Sequence, residues 1–542
     1  MTEPRRTGWL RWVPALALLN VALSLTASAE RGIEWSGALA PSVVLFASLA
    51  ALVLLKPGRA VLWSVAGALV SLALLQTADA AYLYFYGRPL TIATDAPALS
   101  RDALTLASGF PVRFALAVVA ALCALAVAWW VVGTFFLALV GAARGQRRRR
   151  ILAGLLAAGS AAGLASLAMA GPFVQAEAAR TALHQIRTGH AMIAETRRIA
   201  AEVAADPLPA WNAAALASKP NVHLIFVESY ASFSFFDPRS RGEMARLIEE
   251  VGHELERAGL AVASATVDSP IIGGRSWLAH ATALSGTMLR NDAYLPALEA
   301  SGRATLVSRL KERGYRAIAM APALRRDWED GRFLRFDRTY DFRDLDYRGP
   351  AYGLLEVPDQ VILARTAELL LDAPEPFLLV LPLISSHWPW SVLPPTITDW
   401  NALGDGESLR DAGPALRAAD APEPPVVEGL RPLPPLYLAT VGYSFRAAVQ
   451  YVLNVAGEND LIVLLGDHPP AASVTLDAKE RAVPVHVIAR DTALIEPFVD
   501  LGFTAGLATS REASATMAAL PRWIMSALER PVTVADGEVS ER

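Results

Sequence analysis

Five long apolar stretches in the first third of the chain constrain its fold more than any other feature of the sequence. A helix needs about 20 apolar residues to cross a lipid bilayer. The stretches that reach or approach this length are Trp9–Thr26, Ala38–Leu55, Ala60–Tyr84, Phe114–Val140 and Ile151–Ala170. The mean hydropathy of +0.33 also argues against a disordered chain and against a purely soluble enzyme. We therefore predict a five-helix transmembrane N-terminal domain over residues 1–171.

Basic residues between the apolar stretches indicate the orientation of this domain. They cluster before the first stretch, between the second and third, and between the fourth and fifth, whereas the loops Glu30–Glu34 and Gly87–Val112 mix acids and bases. The basic residues are Arg5, Arg6, Arg11, Lys56, Arg59, Arg144, Arg147, Arg148, Arg149 and Arg150. The positive-inside rule then places the N-terminus in the cytoplasm and the chain after Ala170 outside. Because a second stretch soon follows the first, we interpret the first as an anchor and not as a cleaved signal peptide.

An α/β domain follows the membrane domain in the predicted organisation. The predicted segments are a juxtamembrane helix (Glu177–Ala205) and linker (Pro207–Pro220) over 172–220, the α/β domain over 221–530 and a polar tail over 531–542. Short β-like runs alternate with helical runs in the α/β domain, which is typical of such a sheet. The predicted strands are Val222–Val227, Ala261–Val267, Arg316–Met320, Phe377–Leu383, Leu461–Leu465 and Pro484–Ile488. The predicted helices include Met244–Ala258, Arg303–Arg313, Gln360–Leu371 and Leu436–Ala456. Residues 391–435 are rich in Pro, Asp and Gly and are predicted to form an insertion or lid.

Net charge and cysteine content exclude several classes of function. The formal net charge of −4 gives no reason to expect a nucleic acid as a partner. Cys123 is the only cysteine and lies in an apolar run, so the chain can form no internal disulfide and no cysteine-based zinc or iron–sulfur site.

Polar groups follow four of the predicted strands. They are Glu228-Ser229, Gly273–Ser276, Ser385–Pro389 and Gly466–Pro469. Open α/β sheets bind ligands at the carboxyl ends of their strands, so we expect these groups to share one site. Each group alone has a plainer interpretation as a helix cap, a surface carboxylate or a loop hydrogen bond, but their common position favours a function.

The residue types in these groups indicate metal-assisted chemistry. Glu228, Asp467 and His468 offer two carboxylates and an imidazole, which suit a divalent ion such as Zn²⁺ or Mn²⁺ with one position left open. Ser276 begins a helical run, where its hydroxyl is exposed and free backbone N–H groups can hold an anion. A divalent cation would lower the pKa of that hydroxyl and make it a nucleophile, although Ser276 can also be a plain N-cap. Arg275 can pair with a phosphate oxygen or form a surface salt bridge.

The α/β domain resembles the lipoteichoic acid synthase branch of the alkaline phosphatase/sulfatase superfamily, in which this domain follows five membrane spans. The resemblance covers most of Asn221–Leu528. The matching segments are Val222–Ser229 (VHLIFVES), Gly273–Gly286 (GGRSWLAHATALSG), Ser385–Trp390 (SSHWPW), Leu464–Pro470 (LLGDHPP), Pro484–Leu507 and, more weakly, Pro358-Asp359.

The resemblance implies a role for each matched residue. The positions that hold one divalent metal in the family match Glu228, Ser276, Asp467 and His468. The position matching Ser276 is the nucleophile, which becomes phosphorylated, and the histidine matching His387 contacts the transferred phosphate. The substrate-contacting Trp and Arg of the family match Trp328 and either Arg326 or Arg332, with looser spacing.

Several features depart from the family or from its relatives. The synthase nucleophile is usually Thr, and Ser276 keeps its hydroxyl. His280 lies on the same helical face as Ser276 and His486 lies inside a strand, and packing is the favoured interpretation of both. Type I sulfatases need Cys or Ser followed by x-Pro-x-Arg, which Ser276–His280 lacks. Phosphoethanolamine transferases acting on lipid A usually carry several disulfides, and this domain has no cysteine.

These observations predict a metal-dependent phosphotransferase of the bacterial inner membrane that uses one divalent ion (Mn, Zn or Mg). It would move a phosphoglycerol- or phosphoethanolamine-type headgroup from a phospholipid donor to an envelope glycan or polymer through a phosphorylated Ser276. Two alternatives stay open. If water replaces the acceptor, the site is that of a phosphodiesterase or another hydrolase of the superfamily. The second alternative is a non-enzymatic membrane regulator that retains the fold.

Overall fold

The computed structural model describes residues 13–28, 32–33, 42–109, 111–143, 145–169, 177–205, 208–210, 219–325, 328–371 and 373–529. These residues form two compact units. The first contains the described residues up to Glu195 together with Leu476–Ala478, and the second contains the other described residues from Thr196 on. Most of the predicted linker, the polar tail 531–542 and the basic residues Arg5, Arg6, Arg11 and Arg144 lie outside the described residues.

The first unit is mainly helical. Its elements are α1 (Val13–Ser24), a hairpin of β1 (Ala27–Ser28) and β2 (Gly32–Ile33), α2 (Val43–Leu55), α3 (Arg59–Tyr86), α4 (Ile92–Gly109), α5 (Pro111–Ala142), α6 (Gln146–Met169) and the first part of α7 (Glu177–Ala204). Each of the five predicted apolar stretches overlaps one of these helices. Among the described residues, Arg59–Tyr86 and Pro111–Gly141 are long and apolar enough to cross a membrane, whereas Pro14–Ser24 and Val43–Leu55 are apolar but shorter.

Helix α4 lies within Gly87–Val112, which the sequence analysis treats as a loop between two apolar stretches. Asp95 in its first turn is fully buried. Its carboxylate accepts a hydrogen bond from the Thr91 N–H at 2.9 Å and pairs with Arg88 at 2.7 Å. An acidic side chain in this position satisfies a free N–H group at the start of a helix. The mixture of acids and bases that suggested a loop therefore includes an acid that stabilises the first turn of a helix.

A buried polar cluster joins α3 to the first turns of α7. The Thr181 hydroxyl of α7 lies 2.6 Å from Gln76 Oε1 and 3.2 Å from Asp79 Oδ2. Asp79 also accepts a hydrogen bond from the Leu90 N–H at 2.8 Å. Because the three side chains are buried, these hydrogen bonds replace the water that the polar groups lose.

The second unit is an α/β domain, as predicted. Its strands are β3 (Asn221–Val227), β4 (Ala261–Asp268), β5 (Arg316–Ala321), β6 (Arg338–Asp341), β7 (Phe377–Pro382), β8 (Val392–Leu393), β9 (Leu416–Arg417), β10 (Asp460–Gly466), β11 (Ala482–Ala489), β12 (Thr504–Ala505) and β13 (Ala515–Thr516). Strands β8 and β9 pair only with each other. The remaining nine form one mixed sheet in the order β12-β4-β11-β10-β3-β7-β5-β6, with β13 beside β4. All six predicted strands are present in it.

The helices of this unit include the four that the sequence predicts. The helices that follow α7 are α8 (Phe233–Phe236), α9 (Arg241–Arg257), α10 (Ser276–Ser285), α11 (Tyr294–Ser301), α12 (Leu306–Lys311), α13 (Asp359–Leu370), α14 (Leu409–Ala412), α15 (Tyr437–Val455), α16 (Ala472–Thr475), α17 (Glu496–Asp500) and α18 (Leu520–Glu529). Short 3-10 helices cover Glu329–Leu334, Phe342–Leu345, Trp400–Ala402, Thr492–Leu494 and Met517–Ala519.

The adjacent central strands β3 and β10 bring two polar motifs together. All residues of both strands are buried, as expected for strands that are covered on both faces. The two strands run parallel with Val227 paired to Gly466. Glu228 and Asp467, which are the next residues along each strand, therefore leave the sheet side by side at its carboxyl edge.

Residues 391–435, predicted to form an insertion or lid, pack against other residues of the second unit, to which they belong. Gln360 of α13 binds Ile397 through both of its amide atoms. Its Nε2 donates to the Ile397 carbonyl at 3.1 Å, and its Oε1 accepts the Ile397 N–H at 2.9 Å. Tyr352 also donates to the Leu409 carbonyl at 3.2 Å. These bonds fasten the insertion at two separate points.

We expect Gly466→Ala to destabilise the protein, because its Cβ would lie inside van der Waals contact with the Tyr230 carbonyl oxygen and 3.2 Å from the Val483 Cβ. Such overpacking lowers the free energy of unfolding by about 2 kcal/mol or more. Gly242→Ala in α9 is the matched control, because nothing lies within 4 Å of the new Cβ and alanine favours a helix by up to about 1 kcal/mol. Chemical unfolding of the full chain measures both. Equal stability of Gly466→Ala and the wild type would contradict the close approach of Tyr230.

Candidate functional site

Glu228, Asp467 and His468 form one buried cluster at the carboxyl edge of the sheet. One potential ligand atom of each residue lies within 4.8 Å of those of the other two. His468 Nε2 is 3.3 Å from Glu228 Oε1 and 3.7 Å from Asp467 Oδ2. The exposed fraction is 6% for Glu228 and 1% for the other two residues, so water solvates these charges poorly. The structure thus brings together the three residues that the sequence singles out as metal ligands.

Ser276 is the first residue of α10, and its hydroxyl faces this cluster. Its Oγ lies 3.0 Å from Glu228 Oε2 and 3.1 Å from His468 Nε2. The three residues of the preceding turn, Gly273–Arg275, have positive φ values of 69°, 113° and 65°. Glycine adopts such values readily, but an arginine does so rarely and at a cost. This turn places the serine and the first N–H groups of the helix beside the two carboxylates.

Hydrogen bonds between the strand-end loops hold the cluster in place. Asp467 Oδ1 accepts the Ser229 N–H at 2.9 Å. Ser269, which follows β4, donates to the Asp467 carbonyl at 2.7 Å. The Gly273 N–H donates to the Pro469 carbonyl at 3.0 Å. The loop that carries Ser276 is therefore bonded to the loop that carries the second carboxylate.

The orientation of the His468 ring follows from its backbone contact. Its Nδ1 lies 2.8 Å from the Pro469 carbonyl oxygen, to which it donates a hydrogen bond. The Nε2 atom is then directed at Glu228 and Ser276. Metal-binding histidines are commonly oriented by a bond of this type.

The pKa values of the two buried carboxylates shift in opposite directions. Burial raises the pKa of Asp467 to about 7, and the adjacent Glu228 carboxylate adds to the increase. Burial also favours a higher pKa for Glu228, but the charges of His468 and His387 and the Ser276 hydroxyl outweigh it and lower that pKa. Burial opposes protonation of His468, but both carboxylates raise its pKa. The cluster therefore favours positive charge in its centre.

The donor set fits one divalent cation. Ligands about 2.1 Å from a tetrahedral zinc ion lie about 3.4 Å from one another. Ser276 Oγ lies 3.0 Å from Glu228 Oε2, and His468 Nε2 lies 3.1 Å from Ser276 Oγ, 3.3 Å from Glu228 Oε1 and 3.7 Å from Asp467 Oδ2. Two carboxylates buried side by side also require a compensating positive charge. Carboxylates, an imidazole and a hydroxyl are ligands that suit zinc, manganese or magnesium.

His387 lies in the loop after β7 and close to the cluster. Its charge contributes to the lowered pKa of Glu228. Its Nδ1 donates to the Trp388 carbonyl, 2.6 Å away, which leaves Nε2 as the ring nitrogen that can contact a ligand. The side chain is only half-buried, so an incoming molecule can reach it.

Arg275 is buried and forms an ion pair inside the protein. Its Nη1 lies 3.1 Å from Oδ2 of Asp292, which is itself fully buried. The other oxygen of Asp292 accepts a hydrogen bond from Trp277 Nε1 at 3.0 Å. This internal pair differs from the surface salt bridge that the sequence analysis weighed against a phosphate contact. The ion pair between Arg275 and Asp292 stabilises the turn that precedes Ser276.

Of the other predicted substrate-contacting residues, the structure describes Trp328 and Arg332. Trp328 packs against the core and stacks on Phe336 with ring centroids 6.2 Å apart. Within the described part of the chain, no hydrogen bond or ring contact joins Trp328 to the metal cluster. Arg332 is exposed, and Arg326 lies outside the described residues. Their roles stay predictions.

His280 and His486, for which the sequence analysis favours a packing role, both lie in closely packed surroundings. The His280 ring lies 4.3 Å from the Phe226 ring, and burial lowers its pKa to about 4. His486 in β11 is fully buried between Tyr230 OH, at 3.0 Å, and Ser264 Oγ, at 2.7 Å. Neither ring joins the ligand cluster of Glu228, Asp467 and His468.

Sequence reasoning missed the residues that support the site. Ser269 and Asp292 act through contacts that no motif or periodicity marks. Ser229 lies in a motif that the sequence analysis quotes, but only the structure shows that its N–H binds Asp467. Ser386 and Asp359 lie in segments quoted for the family resemblance, SSHWPW and Pro358-Asp359, but only the structure gives them partners.

We expect Asp467→Ala to weaken divalent-cation binding at least about 100-fold, because it removes one of the carboxylate ligands together with its negative charge. Titration of the full chain with Mn²⁺ or Zn²⁺ in a calorimeter measures the affinity. Asp460→Asn is the matched control, because Asp460 is a buried carboxylate at the opposite end of β10. It should bind within about twofold of the wild type. Equal loss in both variants would contradict a site at the carboxyl edge.

We expect His486 to make the protein less stable at acidic pH. Burial lowers its pKa from 6.5 to about 3, so the unfolded chain takes up a proton between these values and the folded chain does not. The contribution of the neutral His486 to the free energy of unfolding is therefore fully present above pH 6.5. It is lost as the pH falls towards 3, by on the order of 2 kcal/mol between pH 7.5 and 5. Unfolding of the wild type and of His486→Gln across this range measures the difference. Parallel pH profiles would contradict the prediction.

No protein-family model and no curated protein matches the chain. It is similar to several solved structures. A protein in the alkaline phosphatase superfamily from Vibrio parahaemolyticus is 14% identical, with a TM-score of 0.33, over 61% of this chain and 75% of that chain. The lipoteichoic acid synthase LtaP from Listeria monocytogenes is 10% identical, with a TM-score of 0.35, over 62% and 79%. The Streptococcus pyogenes phosphoglycerol transferase GacH, in complex with sn-glycerol-1-phosphate, is 12% identical, with a TM-score of 0.33, over 63% and 92%.

The structures that it resembles include a member of the alkaline phosphatase superfamily, which is the superfamily that its motifs resemble.

Proposed function

We propose that the protein is a metal-dependent phosphotransferase that acts through Ser276. It moves a phosphoglycerol- or phosphoethanolamine-type headgroup from a membrane phospholipid to a hydroxyl of an envelope glycan or polymer. One observation carries the proposal. The Ser276 hydroxyl lies at the start of a helix and within 3.0 and 3.1 Å of two basic groups, Glu228 and His468, in a buried cluster with Asp467.

The surroundings of Ser276 suit attack on a phosphodiester. Glu228 Oε2 accepts the hydrogen bond of the hydroxyl and is in position to take its proton. The N–H groups of the first turn of α10 can bind the phosphate oxygens. A divalent cation held by Glu228, Ser276, Asp467 and His468 would lower the pKa of the hydroxyl and offset the negative charge of the phosphate.

The proposed reaction has two steps. Ser276 Oγ gives its proton to Glu228 and forms a bond to phosphorus, the bond between phosphorus and the diacylglycerol oxygen breaks, and that oxygen takes up a proton from His387. An acceptor hydroxyl then attacks the same phosphorus and gives its proton to His387, the bond between phosphorus and Ser276 Oγ breaks, and Oγ takes its proton back from Glu228. His387 can serve in both steps, because its side chain is half-buried and close to Glu228.

The predicted membrane domain fits a donor that stays in the bilayer. We propose five spans, a cytoplasmic N-terminus and a catalytic domain outside the inner membrane, from the five apolar stretches of the sequence and the basic residues between them. A catalytic domain anchored in this way meets phospholipid headgroups without releasing the lipid into water. Arginine-rich composition favours a Gram-negative host.

The first test is intact-mass measurement of the full chain in detergent with Mn²⁺ and phosphatidylglycerol or phosphatidylethanolamine. We expect an adduct on Ser276 whose mass identifies the headgroup, together with release of diacylglycerol. Ser276→Ala should lose both signals, because it removes the attacking oxygen. Ser285→Ala is the matched control, because Ser285 lies at the other end of the same helix.

The outcomes of this test separate the alternatives. Steady diacylglycerol release without an added glycan would identify a hydrolase that uses water as the acceptor. A wild-type chain that binds the metal but forms no adduct and releases no diacylglycerol from either lipid would contradict the proposal. That result would favour another phosphoester or sulfate substrate, or a regulator that retains the fold.

A further inference from the structure

Asp359 is a fully buried carboxylate behind the loop that carries His387. It is the first residue of α13, and its Oδ1 accepts the N–H groups of Ile384 at 2.7 Å and Ser385 at 3.0 Å. The Ser385 hydroxyl in turn accepts the Asp359 N–H at 2.8 Å. The beginning of the helix and the end of β7 are therefore bonded to each other in both directions.

The next residue of the loop is bonded to the metal cluster. Ser386 is fully buried, and its hydroxyl donates to the Glu228 carbonyl at 2.7 Å. Its own carbonyl accepts a hydrogen bond from Trp390 Nε1 at 2.7 Å. The His387 N–H then closes a turn on the Ile384 carbonyl at 3.2 Å. The backbone of His387 is thus held on one side by Asp359 and on the other by Glu228.

Asp359 places a charged carboxylate in a fully buried position. In the described part of the chain, no ion pair joins Asp359 to a basic residue. Burial raises its pKa to about 6, although the Ser444 hydroxyl and the Ile384 and Ser385 N–H groups oppose the rise. A carboxylate buried without a counter-ion costs stability. A carboxylate oxygen nevertheless makes stronger bonds to two N–H groups than a neutral acceptor does.

We propose that Asp359 is a positioning residue that holds His387 beside Glu228. It fixes the backbone of Ile384 and Ser385, and Ser386 links these residues to His387, which carries the catalytic imidazole. The inference rests on the proposed function, because it gives a purpose to the position of His387. Displacement of a catalytic group by about 1 Å can lower a rate about 100-fold.

The kinetic test compares Asp359→Ala and Asp359→Asn in the full chain, with Mn²⁺ and phosphatidylglycerol in detergent and release of diacylglycerol as the readout. We expect Asp359→Ala to lower kcat about 10- to 100-fold and to change KM less than about twofold. Asp359→Asn keeps an oxygen in place of Oδ1 and should restore kcat to within about threefold of the wild type. Asp359→Ser, which cannot reach both N–H groups, repeats the test if the alanine variant does not fold.

A double-mutant cycle with His387→Ala distinguishes positioning from a general loss of stability. If Asp359 acts through His387, then Asp359→Ala should have little further effect on kcat in a chain that already lacks the imidazole. Independent effects that multiply would overturn the proposal. Asp460→Ala is the matched control, because it removes a buried carboxylate at the opposite edge of the sheet. It should lower stability without affecting kcat.

Amide hydrogen exchange tests the same inference without any turnover. The Ile384 and Ser385 N–H groups should lose protection in Asp359→Ala and keep it in Asp359→Asn, while β3 and β10 stay protected in both. Unchanged protection in the alanine variant would overturn the positioning role even if the enzyme is active. An inactive wild type with the expected loss of protection would leave positioning supported and the proposed reaction wrong.

Discussion

Two carboxylates buried next to each other constrain the rest of the second unit. Glu228 and Asp467 follow neighbouring parallel strands whose last residues are paired, so the sheet itself sets their separation. Each buried carboxylate costs several kcal/mol unless positive charge or hydrogen-bond donors compensate it. The groups around them supply this compensation through the His468 imidazole, the Ser276 hydroxyl and the Ser229 N–H. A divalent cation would complete it.

The same constraint explains the local geometry of the neighbouring loops. The turn before α10 tolerates an arginine with positive φ, since the Arg275 guanidinium is paired with the buried Asp292. Ser269 and Gly273 bond that loop to the loop after β10. The strained backbone of Arg275 is thus held in place by contacts from several elements. Such support is common where a reactive side chain must keep one orientation.

The extent to which the sequence predicts this structure depends on the range of the interactions. Apolar runs predict the central strands well, because burial on both faces leaves a strong local pattern, and Glu228 and Asp467 are visible as polar residues at strand ends. The pairing of β3 with β10 joins segments far apart in the chain and has no local signal. The partner of Arg275 was missed for this reason. Helix α4 was missed because its mixed charges are also typical of a loop.

Locating a bound metal would test the account most directly. Anomalous diffraction from crystals of the full chain grown with Mn²⁺ would show the position of the ion. We expect one peak among the Glu228 and Asp467 carboxylate oxygens, His468 Nε2 and Ser276 Oγ. This peak should disappear in Asp467→Ala while the sheet is unchanged. A peak held by other residues, or no peak at a concentration at which calorimetry shows binding, would contradict it.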